Sequence, residues 1–146
     1  MGRYRLTRRI GAPPERVFAG FTDPSIVADW MDLKGIADAT GPLDVAGTRY
    51  TMVVRGPWRF RVQVLRSESP RLHDASGRGP LGASYRMVAR LTGSADVTDL
   101  ELDTEYTLPF GAVGRWIDRR WLENSPRTVA NRELDRLVTI MSGSRP

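Results

Sequence analysis

Residues 111–141 read GAVGRWIDRRWLENSPRTVANRELDRLVTIM. Phe110, Val113, Ile117, Arg120, Trp121 and Asn124 recur at helical spacing, and beyond Pro126 the series resumes as Ala130, Leu134, Leu137, Val138 and Met141. The pattern predicts one long amphipathic helix, or two in line. Pro126 lacks a backbone donor and disfavours the helical conformation at Ser125, whereas Asn124 or Ser125 would serve as N-cap with Pro126 at the first helical position. A kink or a restart is expected there. Taken straight, the stretch would span about 45 Å at a rise of about 1.5 Å per residue. A helix of that length must lie across something wide, and because nearly everything before it reads as strand, the surface it crosses is a broad curved sheet.

The 146 residues suit a single domain, 1–146, which at this size buries about 70% of its unfolded surface. Cysteine is absent, so neither disulfides nor thiolate metal sites are available, a composition that suits a reducing cytoplasm. The N-terminus, MGRYRLTRRIG, is charged but has no apolar core of a signal peptide, and no apolar run approaches membrane-spanning length. The sequence expectation is a soluble cytoplasmic protein with no transmembrane segment. The net charge of +5 comes from 22 basic side chains of which only Lys34 is lysine. These arginines are scattered among acidic residues rather than gathered in one stripe with aromatics, which argues against a nucleic-acid partner.

Along the chain, RYRLTRRI at 3–10 alternates, with Tyr4, Leu6 and Ile10 on one side and Arg3, Arg5, Thr7 and Arg9 on the other, as a half-buried strand does. Pro13 and Pro14 then open a short helix with Val17, Phe18 and Phe21 as its apolar stripe. Asp23 caps a second helix that has Pro24 at its first position and buries Ile26, Val27 and Trp30. Strand-like runs follow at 35–40, 48–55, 58–68, 71–76, 83–92 and 97–108, separated by Gly41-Pro42, Gly56-Pro57, Ser69-Pro70, Gly77 to Pro80, and Gly93-Ser94. Connections this short predict an antiparallel meander.

The last of these runs carries Asp99, Glu101, Asp103 and Glu105 on one face and Leu100, Leu102, Thr104, Tyr106 and Leu108 on the other. Carboxylates two apart on a strand splay along it and oppose the apolar face. They therefore read as a solvated ladder rather than a glycosidase or metal site. Arg86 and Arg90 of one strand and Arg3, Arg5 and Arg9 of another would pair with them if the acidic strand lies between those two.

The order strand, two short helices, strands, long helix, with the wording IGAPPERVFAGFTDPSIVADW at 10–30, resembles the START-like or SRPBCC superfamily, in its polyketide cyclase/dehydrase and lipid-transport branch. Gly47-Thr48-Arg49-Tyr50, Ser69-Pro70-Arg71-Leu72, and Gly111 with Gly114 extend the likeness over the whole chain. The resemblance implies an α+β helix-grip: a curved antiparallel sheet of six or seven strands wrapped round a long, kinked C-terminal helix, with two short helices after strand one and a cavity inside. It also implies that strand seven lies between strands one and six, as the charge ladder requires independently. The superfamily shares no catalytic residue, so the resemblance transfers none.

Strand parity supplies an inner wall: Tyr50, Met52 and Val54; Trp58, Phe60, Val62 and Val64; Tyr85, Met87 and Leu91; Thr104 and Tyr106. Val113, Ile117, Arg120, Asn124, Ala130, Leu134 and Met141 of the helix would face it. Such a wall suits a hydrophobic, partly oxygenated ligand, although aromatics and methionines at these spacings also build ordinary core. Arg120 stands out, because a guanidinium on an apolar face needs an internal partner, a route to the rim, or a ligand oxygen. The lone histidine, His73, reads as an ordinary surface or strand residue, with a pocket base as the alternative. No His/Asp/Glu cluster has metal spacing, no serine nucleophile motif is present, and no phosphate loop follows a strand.

Two functions compete on these residues. A cyclase or dehydratase would use Tyr50, Tyr85, Tyr106 and Arg120 as proton donors and oxyanion partner in aldol closure, with Trp58, Phe60, Met52, Met87, Thr104, Ile117, Asn124 and Leu134 holding the chain. A carrier or sensor for a lipid, isoprenoid or aromatic metabolite would need the cavity alone. A third reading is an interaction module like the chaperone co-activators, with the cavity collapsed and an apolar patch exposed. No cofactor is called for, the partner is a hydrophobic small molecule, and the chain is compatible with a homodimer.

Overall fold

In the computed structural model, which describes residues 2–54, 58–108 and 125–143, the alternating N-terminal residues form strand β1 (Gly2–Ile10). Helices α1 (Pro14–Thr22) and α2 (Pro24–Trp30) follow at once. Asp23 caps α2 by accepting a hydrogen bond from the Ser25 amide at 3.0 Å, and its bond from the Ser25 hydroxyl holds the carboxyl below its ordinary range. The remaining strands are β2 (Gly35–Ala37), β3 (Arg49–Val53), β4 (Arg59–Glu68), β5 (Leu72–Arg78), β6 (Ser84–Gly93) and β7 (Thr98–Thr107). They form one curved seven-stranded sheet in the order β1-β7-β6-β5-β4-β3-β2, antiparallel throughout.

Two boundaries depart from the sequence reading, each for a local reason. The 35–40 run stops at Ala37 because Asp38 takes the left-handed conformation, φ 55°. Gly77 and Arg78, assigned to a turn, continue β5, and the reversal falls instead on a single 3-10 turn at Pro80–Gly82, where Leu81 and Gly82 have φ 62° and 83°. Gly77 serves packing rather than turning, since its hydrogen side faces the ring of Tyr85.

The C-terminal helix α3 runs Pro126–Gly143. Ser125 is its N-cap, the hydroxyl oxygen accepting from the Thr128 amide at 3.3 Å and the carbonyl accepting from Val129 at 3.0 Å. Pro126 thus marks a helix start, as its missing donor demands. The upstream half of the quoted stretch, with Val113, Ile117, Arg120, Trp121 and Asn124, lies outside the described residues. Among the described residues no helix is long and apolar enough to cross a membrane.

On the outer face β7 lies between β1 and β6, and the charge ladder forms. Arg3 meets Asp103 at 3.0 Å, Arg5 meets Asp103 at 3.2 Å and Glu101 at 3.4 Å, Arg9 meets Asp99 at 3.8 Å, and Arg90 meets Glu101 at 3.9 Å. Hydrogen bonds from Arg3, then from Arg5, hold the Asp103 carboxyl below its ordinary range. Arg86 departs from the expected pairing: it grips Asp74 of β5 with two bonds, of 2.8 and 3.1 Å. That carboxylate is 1% exposed, so it draws the guanidinium across the sheet.

On the inner face α3 crosses β1 and touches both short helices. Arg8, on the inner side of β1, ties that strand to α3 through Asn131 at 2.7 Å and Asp135 at 3.3 Å. Deeper along α3, Leu134, Leu137 and Met141 fill the core. Gly20 of α1 lets that helix approach, since a Cβ there would stand 2.9 Å from Leu137 Cδ1.

Candidate functional site

The interior is divided between two clusters. The larger joins β1, β6 and β7 to the three helices through Leu6, Ile10, Phe18, Phe21, Leu91 and Leu134, with Trp30, Met87, Leu102 and Ala130 at its edge. The smaller gathers Tyr50, Met52, Val62, Val64 and Ala75 on β3 to β5 with Leu43 of the loop before β3. Met31 and Tyr85 pack against both. Where the clusters part, a cavity of about 460 Å³ opens under the first turns of α3.

Its described lining draws on nearly every element. Tyr4 and Thr104 are cross-strand partners on β1 and β7, as are Tyr85 and Tyr106 on β6 and β7. The rings of Tyr4 and Tyr106 lie 6.0 Å apart, and those of Phe60 and Tyr85 5.9 Å apart. Trp30, Met31, Leu33, Met52, Met87, Leu102 and Leu108 extend the apolar wall, and Pro126, Val129, Ala130 and Glu133 of α3 form its roof. The Tyr85 hydroxyl points at the Met52 sulfur, 3.8 Å away, a weak acceptor for a phenol.

Three polar features interrupt this wall. Thr104 Oγ1 is buried without a hydrogen-bond partner among the described residues. The nearby phenol of Tyr4 has its ionisation pushed up mainly by burial, with Thr104 close enough to temper the rise but not placed to satisfy its own hydroxyl. Glu133 is half-buried, and loss of hydration pushes its carboxyl up to about 8, against the opposing pull of Arg136 and Arg132 and with the help of Asp32. Tyr85 is pushed well above the ordinary phenol range by burial first, then by Tyr50, Tyr4 and Glu133.

Of the residues singled out from sequence, Tyr85, Tyr106, Phe60, Met52, Met87 and Thr104 come together on the cavity wall. Tyr50 is placed elsewhere, 6% exposed within the smaller cluster, where burial raises its phenol to about 12. Leu134 is fully buried in the larger cluster, and Trp58 is half-buried outside the described lining. Arg120, Ile117 and Asn124 lie outside the described residues.

His73 is a strand residue of β5, as one branch of the sequence reading has it, and it lies neither on the surface nor in the described lining of the cavity. It is 1% exposed, packs edge-on against Phe18 at 6.0 Å, and shares a 3.1 Å hydrogen bond between Nδ1 and Ser67 Oγ. Burial lowers its ionisation to about 4, Asp74 and Asp44 pulling the other way. Among the described residues no group of His, Asp and Glu could hold a metal ion.

Glu133 and Tyr4 were not singled out from sequence as site residues. Glu133 sits between Arg132 and Leu134 in a charged run that reads as a solvated face. Its signal is nevertheless present, because position 133 is four beyond Val129 and three beyond Ala130, one helical row above the roof. Tyr4 already fell on the inner side of the first strand, and its register opposite Thr104 puts it at the site.

Together these elements define an α+β helix-grip with a half-open, predominantly apolar pocket beneath α3. The chain belongs to the polyketide cyclase / dehydrase and lipid transport family, whose model matches residues 1–142. Among solved structures it is similar to a conserved protein of Geobacillus kaustophilus, at 17% identity and TM-score 0.75 over 96% of this chain and 95% of that one. Protein MLL2253 of Mesorhizobium loti is similar at 16% identity and TM-score 0.73, over 99% and 100%. DynU16, described as a putative protein in the dynemicin biosynthetic locus, is similar at 19% identity and TM-score 0.67; the match covers 94% of this chain and 46% of DynU16, about half its length. No match is found among curated proteins. At these identities the structural likenesses establish the fold.

Proposed function

We propose that the protein binds a hydrophobic, partly oxygenated small molecule in the cavity beneath α3. The supporting observation is the wall itself: apolar and aromatic side chains enclosing about 460 Å³, interrupted by Tyr4, Tyr85, Tyr106, Thr104 and Glu133, the composition of a small-molecule site. Family membership supports the same reading. Native mass spectrometry of freshly purified protein tests it: an apolar, oxygen-containing mass retained in the gentle spectrum and released on denaturation is the expected result. An empty protein that also takes up no naphthalene-type fluorophore would sink the proposal.

The finer reading within this class is a polyketide cyclase or dehydratase. Aldol closure develops negative charge on an enolate oxygen, and a phenol held protonated, as half-buried Tyr85 is, can donate a hydrogen bond to it while the wall imposes the folded shape of the chain. Tyr106 adds a second donor to that wall, and Arg120 is the candidate cationic partner from the sequence. Tyr-to-Phe changes at 85 and 106 would then lower turnover of a poly-ketone chain while leaving its binding in place. Equal turnover in both variants would favour the second reading, a carrier that holds its ligand unaltered, for which the adaptable methionines at 31, 52 and 87 speak.

A further inference from the structure

Glu133 is the one carboxyl among the described lining residues of the cavity. It projects from α3, and no hydrogen bond or ion pair joins it to another described residue. Among the described residues, the titratable groups around it are Arg132 and Arg136 on its own helix, Asp32 beyond α2, and the phenols of Tyr4 on β1, Tyr85 on β6 and Tyr106 on β7. The arginines stabilise its charge less than the lost hydration destabilises it, so the protein itself favours the protonated carboxyl. A protonated carboxyl carries an O–H donor, and from its half-buried place on the wall it can offer that donor to a molecule in the cavity.

Thr104 Oγ1 is the second unmet group. It lines the same cavity and is the one buried side-chain polar atom without a partner among the described residues. Interiors rarely leave such groups unsatisfied, and each calls for an explanation. Here an acid and a hydroxyl, neither with a hydrogen-bond partner among the described residues, line the same cavity, and a ligand oxygen there would answer both. A pure hydrocarbon would leave the two unmet. A ligand carboxylate would face Glu133, which could accept it only by staying protonated.

We propose that Glu133, in its neutral form and together with Thr104, selects an uncharged ligand carrying a carbonyl oxygen, to which the carboxyl O–H donates a hydrogen bond. This assignment rests on the cavity-binding reading above and narrows its ligand to uncharged hydrophobes that carry a carbonyl oxygen.

The test uses the full chain and two uncharged fluorophores, prodan, a naphthalene ketone with a dimethylamino group, and the matching dimethylaminonaphthalene without the ketone. Loss of one hydrogen bond worth about 1.4 kcal/mol is about tenfold in affinity. Prodan is therefore expected to bind the wild type about tenfold more weakly at about pH 9.5 than at about pH 6.5, with a midpoint near the Glu133 value of about 8. The ketone-free probe should bind equally at both. Glu133→Gln keeps an N–H donor but cannot ionise, so its prodan affinity should stay flat with pH and near the wild-type acidic value. Glu133→Leu should be flat and about tenfold weaker for prodan alone. A wild-type prodan affinity that ignores pH, or a pH dependence that survives in Glu133→Gln, overturns the assignment while leaving the cavity reading intact. If neither probe binds at any pH, the cavity reading falls and takes the assignment with it.

Discussion

Gly77 of β5 and Tyr85 of β6 are register partners, and the phenol ring lies where a side chain at 77 would be: a Cβ there would stand 2.8 Å from Tyr85 Cζ. The same device recurs at Gly79, whose Cβ would stand 2.6 Å from Phe60 Cε2, and at Gly2 beneath Tyr106. Three aromatic side chains of the cavity wall therefore rest on glycines, Gly77 and Gly2 being the register partners of the rings they carry. That arrangement lays the rings along the sheet and keeps the space beneath α3 open.

Gly77→Ala is expected to push the Tyr85 ring off the sheet and into the cavity. Overpacking of this kind costs about 1–3 kcal/mol, so the urea midpoint should fall. Prodan uptake should fall with it. A variant as stable as the wild type, binding prodan equally, would show that the ring does not depend on the missing Cβ.

The Glu133 carboxyl sets a pH dependence whose sign follows from its direction of shift. The folded protein keeps this proton up to about pH 8, whereas the unfolded chain releases it near 4.5, the ordinary value for a glutamate. Stability from this group is thus present below about 4.5, declines as pH rises across the window, and levels off above about 8. Glu133→Gln should remove that decline, so that the variant gains on the wild type progressively from acid to mildly alkaline pH in urea melts. Parallel stability curves for the two proteins would mean that water reaches the carboxyl.

His73 acts in the opposite sense and over a different range. Burial holds its ionisation at about 4 against 6.5 when exposed, so the unfolded chain takes up a proton that the folded core refuses. Stability present above 6.5 is lost as pH falls toward 4. His73→Phe, which keeps the contacts with Phe18 and Phe21, should flatten this acid limb in thermal melts. It should also leave prodan binding at neutral pH unchanged, since the histidine is not in the cavity wall.

Thr104→Val replaces a buried, unsatisfied hydroxyl by a methyl of the same shape. Relief of such a group is worth about 1 kcal/mol, and the ligand-free variant should be more stable by about that amount. Its affinity for the ketone probe should drop while that for the ketone-free probe holds. A gain in stability with no loss of ketone affinity would remove Thr104 from the binding role.

Arg86→Met tests the outer face. Asp74 is 1% exposed and, among the described residues, keeps only Arg66, at 3.7 Å, once the two bonds to Arg86 are gone. Leaving a buried carboxylate so poorly paired costs about 3 kcal/mol. A loss under about 1 kcal/mol in urea denaturation would show that Arg66 or water replaces the lost partner.

Much of this architecture follows from the order of residues alone. Alternation at 3–10 and 97–108 sets which side chains face inward, Pro24 and Pro126 start helices because proline can only begin them, and matched charges place β7 between β1 and β6. These features are local or pairwise, and short-range sterics and Coulomb attraction suffice to dictate them. What lies opposite an inward face is another matter. The same pattern that identified Tyr85, Tyr106 and Thr104 also selected Tyr50, which packs into solid core, and it passed over Glu133, whose charged neighbours look solvated. Gly77 reads as a turn in sequence yet lies under the ring of Tyr85, and the side on which His73 points, open in the sequence, is decided by Phe18 packing against it. Whether an inward residue meets a neighbour or an empty space depends on where α3 comes to rest against the curved sheet. That placement is set by side-chain volumes distant in sequence, Leu137 against Gly20 among them, and only the folded chain brings them together.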